Sequence, residues 1–352
     1  MNQRPYTVAL IVPTGVGASI GGYAGDALPV ARAIASCSDR LITHPNVLNG
    51  AQLYWFSPNT FYVEGYGLDK FAAKWWGLRP VHQNRVGLIL DRAMESELRL
   101  RHIQAADASQ ATLGLNLTDY VVTDAPLEVE LRTAASGASW GTIGNPGSLL
   151  RAAEKLIRQA RADAIAVVAR FPDDTDSTTV EDYRHGSGVD PLAGAEAVIS
   201  HLIVRTFQIP CAHAPALMPL PVDPNVSPRA AAEELGYTFL PCVLVGLSRA
   251  PQFVVGRQNS QTQDIWAEQV DALVVPATAC GGSALLNFSQ SHPQIIAIEN
   301  NHTQMQVPPE PLGIKAIRVH SYLEALGVLV AHRAGINADA LRPSLSSLHY
   351  LS

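Results

Sequence analysis

Charge is scarce in this chain. Only 16% of its 352 residues are Asp, Glu, Lys or Arg, and the net charge is −6. Without a basic excess there is no field to attract a phosphate backbone, so nucleic acid is not an expected partner. Cysteine is scarcer still: Cys37, Cys211, Cys242 and Cys280 are widely spaced and form no CxxC pair. That usage argues against a disulfide scaffold and for a reduced compartment. No run of roughly 18 apolar residues occurs, so no membrane-spanning helix is expected. The start, MNQRPYTVALIVP, lacks the basic-then-apolar pattern of a secretory signal. These absences predict a cytoplasmic protein that engages neither nucleic acid nor a membrane. No motif names a cofactor. A homo-oligomer is compatible with the sequence, which does not fix the oligomeric state.

Apolar residues, by contrast, make up 47% of the chain, enough for a sizeable buried core. Short apolar runs at Val8–Val12, Val86–Leu90, Ala164–Ala169 and Ala272–Val275 read as strands buried on both faces. Phe239–Gly246 reads as a further apolar strand, and helical segments alternate with the strands over most of the chain. The pattern predicts an α/β fold with a largely parallel sheet flanked by helices, arranged as two lobes around one cleft. Residues 1–135 would form the first lobe, a Gly/Ser-rich linker or loop would span 136–147, and 148–352 would form the second. Asn145-Pro146 and Asp190-Pro191 are helix starts, and Ser321 with Glu324 is a capping box for a last helix that Gly335 ends.

The stretch with the most chemical promise follows the first strand. Gly15, Gly17, Gly21 and Gly22 precede a helix, and a strand–glycine loop–helix unit offers unpaired backbone N–H groups to an anion. The spacing fits neither GxGxxG nor the Walker pattern, so a tight turn needing glycine for packing is the alternative. Ala9–Pro13 is echoed by Ala272–Pro276, which also runs into glycines. There Cys280 precedes Gly281, Gly282 and Ser283. A thiol near a helix N-terminus can be activated, and the three residues after it can hold an oxyanion. A packed structural cysteine is the competing reading.

Cys211 and His213 share one side of an extended segment and could act as an acid–base pair. Glu299, Asn300, Asn301 and His302 follow a strand, where ligand crevices open. His44, Asn46 and Asn49 form a similar cluster. Arg170, beside Asp173 and Asp174, could pair with an anion. No metal site is assigned, although a catalytic metal drawing on His185, His201 or His302 stays open.

Seven segments carry a family resemblance: Arg4–Ala31, Leu41–Gly50, Arg79–Gly87, Val167–Asp174, Gly188–His201, Ile209–Pro215 and Tyr237–Pro251. They resemble a domain family of unknown function found in cyanobacteria and plastids. The resemblance implies a soluble protein of a photosynthetic lineage and implies no reaction. The residues themselves point to an enzyme on a small phosphorylated or carboxylated metabolite. Cys280, or Cys211 with His213, would be nucleophile or acid–base pair, with Glu299 and His302 in reserve; a two-cysteine racemase or lyase is one version. A metabolite sensor or assembly factor without turnover is the alternative, and a structural scaffold is a third.

Overall fold

The computed structural model describes residues 4–172, 177–218, 221–235, 239–291 and 293–350. It begins with β1 (Thr7–Leu10), buried at all four residues. The glycine loop then leads to α1 (Leu28–Ser36), β2 (Arg40–Thr43), α2 (Pro45–Leu48), β3 (Thr60–Tyr62), α3 (Gly65–Ala72) and β4 (Trp76–Arg79). Next come β5 (Val86–Leu90), α4 (Ser96–Leu113), β6 (Leu117–Val122), β7 (Val129–Thr133), β8 (Ser139–Ile143), α5 (Pro146–Gln159) and β9 (Ala164–Arg170). They are followed by α6 (Ser177–Arg184), α7 (Ala193–Phe207), β10 (Cys211–Ala216), α8 (Ala231–Leu235), α9 (Phe239–Ser248) and β11 (Gln252–Val255). The chain closes with β12 (Val270–Pro276), α10 (Ser283–Ser289), β13 (Gln294–Ile298), β14 (Ile317–Val319) and α11 (Tyr322–Arg333).

The architecture is α/β, as the alternation predicts. A six-stranded sheet runs β14-β13-β12-β1-β2-β3 and a four-stranded sheet runs β10-β9-β5-β6, both wholly parallel. Side chains alternate across the strands, and both faces are covered. Val8 and Leu10 join one core cluster with Leu88, Ala166 and Val243. Ala9 joins another with Phe71, Leu273 and Phe288. The echoed segments at residues 9–13 and 272–276 are neighbours in the first sheet, with Leu10 opposite Val274. Ser321 caps α11 through Glu324 N–H, and Glu324 returns a bond from His320 N–H.

Two expectations change. The apolar run from Phe239 is a helix, α9, which packs on β9, β10 and α2. A short run apolar on every side carries no period, so burial within the core decides its conformation. The Gly/Ser-rich stretch 136–147 is not a free linker, because β8 lies in it and pairs antiparallel with β7. Nor do the sheets follow a division there: β1–β3 share the first sheet with β12–β14, and β5 and β6 share the second with β9 and β10.

Asp91, fully buried just past β5, ties the strand ends of the second sheet together. Its Oδ1 accepts from the N–H groups of Ala93 and Leu127, both at 3.0 Å, and its Oδ2 from Arg170 N–H at 3.2 Å. Asp91→Asn keeps one acceptor and turns an NH2 toward a backbone donor. A loss of about 2 kcal/mol is expected in chemical denaturation; an unchanged midpoint would show that this junction is not stressed.

Candidate functional site

The carboxyl ends of β1, β2 and β3 open onto a cleft of about 120 Å³, closed on its far side by α7, β10, α8 and α9. Thr14 and Gly22 come from the glycine loop, His44, Asn46 and Asn49 from the turn after β2, and Glu64 from the end of β3. Helix α7 presents Ala193, Glu196, Ala197, Ser200 and His201, which lie at helical spacing along one face. His213 enters from β10, Glu233 from α8, and Asp190 from the turn before α7. Among the described residues that line the cleft, none is Lys or Arg.

These groups are linked. His213 Nδ1 lies 3.1 Å from Ser200 Oγ, and its Nε2 lies 3.6 Å from a Glu196 oxygen. His201 Nδ1 bonds Ala197 O at 2.5 Å and is 3.4 Å from Glu64. Glu64 caps α3, accepting from Tyr66 N–H at 2.8 Å and Gly67 N–H at 3.3 Å. Burial raises the Glu64 carboxyl against the opposing pull of His201. Burial also raises Asp190 well above the carboxylate range, and the neighbouring Glu233 and Glu196 add to it. Glu233 is pushed up to about 7, first by burial and further by Glu196 and Asp26, while bonds from Tyr183 and Ala24 pull the other way. The cleft therefore offers in Glu233 a carboxyl that exchanges its proton near neutrality, next to an imidazole bonded to a hydroxyl and 3.6 Å from a carboxylate oxygen.

Two backbone N–H groups of the glycine loop are taken up by the chain's own carboxyl groups. Gly21 N–H donates to Asp26 Oδ1 at 2.8 Å, and Ala24 N–H to Glu233 Oε2 at 3.0 Å. Tyr183 O–H reaches the same Glu233 oxygen as well as Gly22 O, and its ring stacks on Tyr23 with centroids 4.7 Å apart. Other glycines are held by packing. A Cβ on Gly15, at φ +67°, would lie 2.6 Å from Ser139 Oγ, and one on Gly17 would lie 2.8 Å from Gly188 O. Gly21 backs onto Val12 in the same way.

The turn after β2 braces this loop while facing the cleft. His44 Nε2 accepts Val12 N–H at 3.1 Å, and burial lowers the imidazole to about 4, so the ring is neutral with its proton on Nδ1. Asn46 donates to Val12 O and Gly21 O, both at 2.8 Å, and Asn49 accepts Tyr62 O–H at 2.7 Å.

The second glycine segment lies elsewhere. Cys280, Gly281, Gly282 and Ser283 do not line the cleft. Residues 301–307 run between the two glycine segments and bond both: Ser19 N–H to His302 O and Gln304 N–H to Val16 O on one side, Cys280 N–H to Val307 O on the other. Cys280 has 0% exposure, and burial raises its thiol to about 11, the reverse of an activated nucleophile. Cys211 is likewise buried and its thiol raised, so no thiol pair faces a common space. Gly281 packs on Val307, and Ser283 is an exposed first residue of α10.

Glu299 is exposed and pairs with Arg318 at 3.2 Å. The exposed Asn300 bonds His320 O through its backbone, and the buried Asn301 clamps Ile20 on both its N–H and its carbonyl. His302 is exposed and lies outside the cleft lining. Arg170 grips Glu95 at 3.0 Å; Asp173 and Asp174, expected beside it, lie outside the described residues. The three histidines considered for a metal are apart in function: His201 faces Glu64, His302 sits on the loop clamp, and His185 meets Asp223 at 2.8 Å and Glu181 at 3.7 Å on the surface.

The sequence reading passed over Glu64, Glu196, Ser200 and Glu233. Glu196 and Ser200 were findable as polar residues four apart in the mostly apolar first half of α7. Glu64 and Glu233 carry no local signal, since each becomes special only through burial.

The family model described as "Protein of unknown function (DUF3326)" matches residues 7–342. A Synechococcus sp. protein named "Uncharacterized lipoprotein" is 58% identical over 352 residues, covering 100% of this chain and 98% of that protein. No solved structure matches. The relative's name speaks for membrane attachment, and the cytoplasmic placement expected from cysteine usage and the N-terminal residues is withdrawn on that ground. No helix among the described residues is long and apolar enough to cross a membrane. With a family match over nearly its whole length and a cyanobacterial relative of this similarity, the chain belongs to the DUF3326 family.

Proposed function

We propose that the protein is an acid–base enzyme acting on a small polar substrate whose reacting end is an amine or a hydroxyl. The observation that carries this reading is the convergence of Glu233, Asp190 and the Ser200–His213–Glu196 chain on one cleft. A phosphate or carboxylate, the substrate class suggested by the strand–glycine loop–helix unit, fits poorly here. Two of the loop's donors, Gly21 N–H and Ala24 N–H, are already bonded to Asp26 and Glu233, and among the described residues no Lys or Arg lines the cleft to pair with an anion. A cation or neutral donor instead finds acceptors on several sides. His213 is placed to take a proton from such a group, with Glu196 stabilising the imidazolium that forms. Glu233 supplies a proton from a carboxyl poised near neutrality.

A second reading is favoured by one feature. Glu64 and His44 are committed to backbone donors, which suits a cleft that binds without turnover. A thermal-shift screen of amines, amino alcohols and polyols against phosphates and carboxylates tests the substrate class, since a bound ligand raises the melting temperature by mass action. Amines and hydroxyl compounds are expected to stabilise. Stabilisation by phosphates and carboxylates alone would refute the proposal. With a binding substrate in hand, His213→Gln should abolish turnover and spare binding; if no turnover is measurable in the unaltered protein, the binding-only reading takes over.

A further inference from the structure

A second hollow, about 210 Å³, adjoins the cleft and shares part of its wall. Asp190, Pro215, Glu233 and Phe239 line both. Beyond that wall the lining turns apolar, with Val180, Pro191, Leu192, Leu217 and Met218. Its remaining polar side chains are already engaged. Arg184 bonds Glu234 at 2.7 Å, Glu181 at 2.9 Å and Pro221 O at 2.8 Å, and Tyr183 bonds Glu233 and Gly22 O. A ligand in this hollow would find apolar walls, with Glu233 and Asp190 as the ionisable groups at the end shared with the cleft.

Resting on the function proposed above, we infer that the substrate is amphipathic: its amine or hydroxyl head sits in the cleft and an apolar tail fills the second hollow. Neither chamber suits the whole of a uniform molecule. A wholly polar ligand leaves the apolar hollow wet, and a wholly apolar one shuts the cleft's carboxyl and imidazole groups off from water with nothing polar in its place. A molecule with one polar end satisfies both, and its tail strengthens binding by leaving water.

The test uses the full chain with two series of probes, n-propylamine to n-octylamine and the matching 1-alkanols, read by calorimetry. Affinity is expected to rise about threefold to fourfold per added methylene, then level off once the hollow is full. Met218 is half exposed at the mouth, so Met218→Trp narrows the hollow without entering the core. It should bring the plateau to shorter chains and leave propylamine unchanged. Leu217→Ala should flatten the rise. Equal affinity at every chain length would overturn this inference and leave the acid–base reading standing, as would a rise that neither variant alters. Failure of every amine and alcohol to bind would overturn both. The two series separate the head groups, since a cationic head predicts the amines to bind more tightly than the alkanols at every length.

Discussion

Glu233→Gln is expected to leave stability nearly unchanged at pH 4.5, the ordinary carboxyl value, and to raise it by about 2–3 kcal/mol at about pH 8. The sign follows from proton binding. Below pH 4.5 the carboxyl is protonated whether the chain is folded or not. Between there and about 7 the unfolded chain ionises while the folded one keeps its proton. The folded state binds more protons in that window, so stability falls as pH rises through it, and the loss is complete above about 7. Glutamine cannot ionise and escapes the loss. It also keeps the two bonds that matter: Tyr183 O–H and Ala24 N–H both donate to one Glu233 oxygen, and an amide carbonyl can accept both.

The same substitution should weaken an amine ligand at least about tenfold at about pH 8, where the carboxylate would otherwise pair with it. A residue that costs stability yet is needed for binding is the pattern of a functional group. Melting curves that stay parallel across pH would show that Glu233 ionises as an ordinary surface acid.

Gly194→Ala is expected to cost about 3 kcal/mol or more and to disrupt the cleft along with the fold. A Cβ there would sit inside the contact shells of Ser139 O and Trp140 Cα, both backbone atoms of β8 that cannot swing aside. The hairpin would have to part from α7, the helix that carries Glu196, Ser200 and His201. Unfolding midpoint and probe binding should therefore fall together. Gly282→Ala is the control. Its Cβ meets nothing within 4 Å and its φ is −71°, so the midpoint should hold or rise slightly. If the two alanine variants behave alike, close packing of α7 on the hairpin is not what shapes the cleft.

Some features are decided within a few residues of themselves. Val86–Leu90 and Ala164–Ala169 are short runs rich in Val and Ile between turn signals, a length and composition that suit a buried strand. Ser321 and Glu324 start a helix because the side chain and the orphan N–H groups are neighbours in the chain. Phe239–Ser248 is the counterexample: with no polar residue before Ser248 to mark a period, its helix follows from the packing it finds on β9, β10 and α2.

The site depended on contacts no local pattern records. Its parts lie at residues 14, 44, 64, 190–201, 213 and 233 and meet because two parallel sheets bring separate strand ends together. The chain alone determined that a glycine loop would follow β1, and left open whether its N–H groups hold an anion or its glycines serve a tight turn. Tertiary structure decided it. Asp26 and Glu233 arrive first, and a donor bonded to a buried carboxylate is no longer free for a ligand. It also decided the fate of Cys280. Local sequence placed that thiol before a helix, whereas burial, which depends on all that packs around it, raised the thiol to about 11 and gave Glu233 a neutral-range proton.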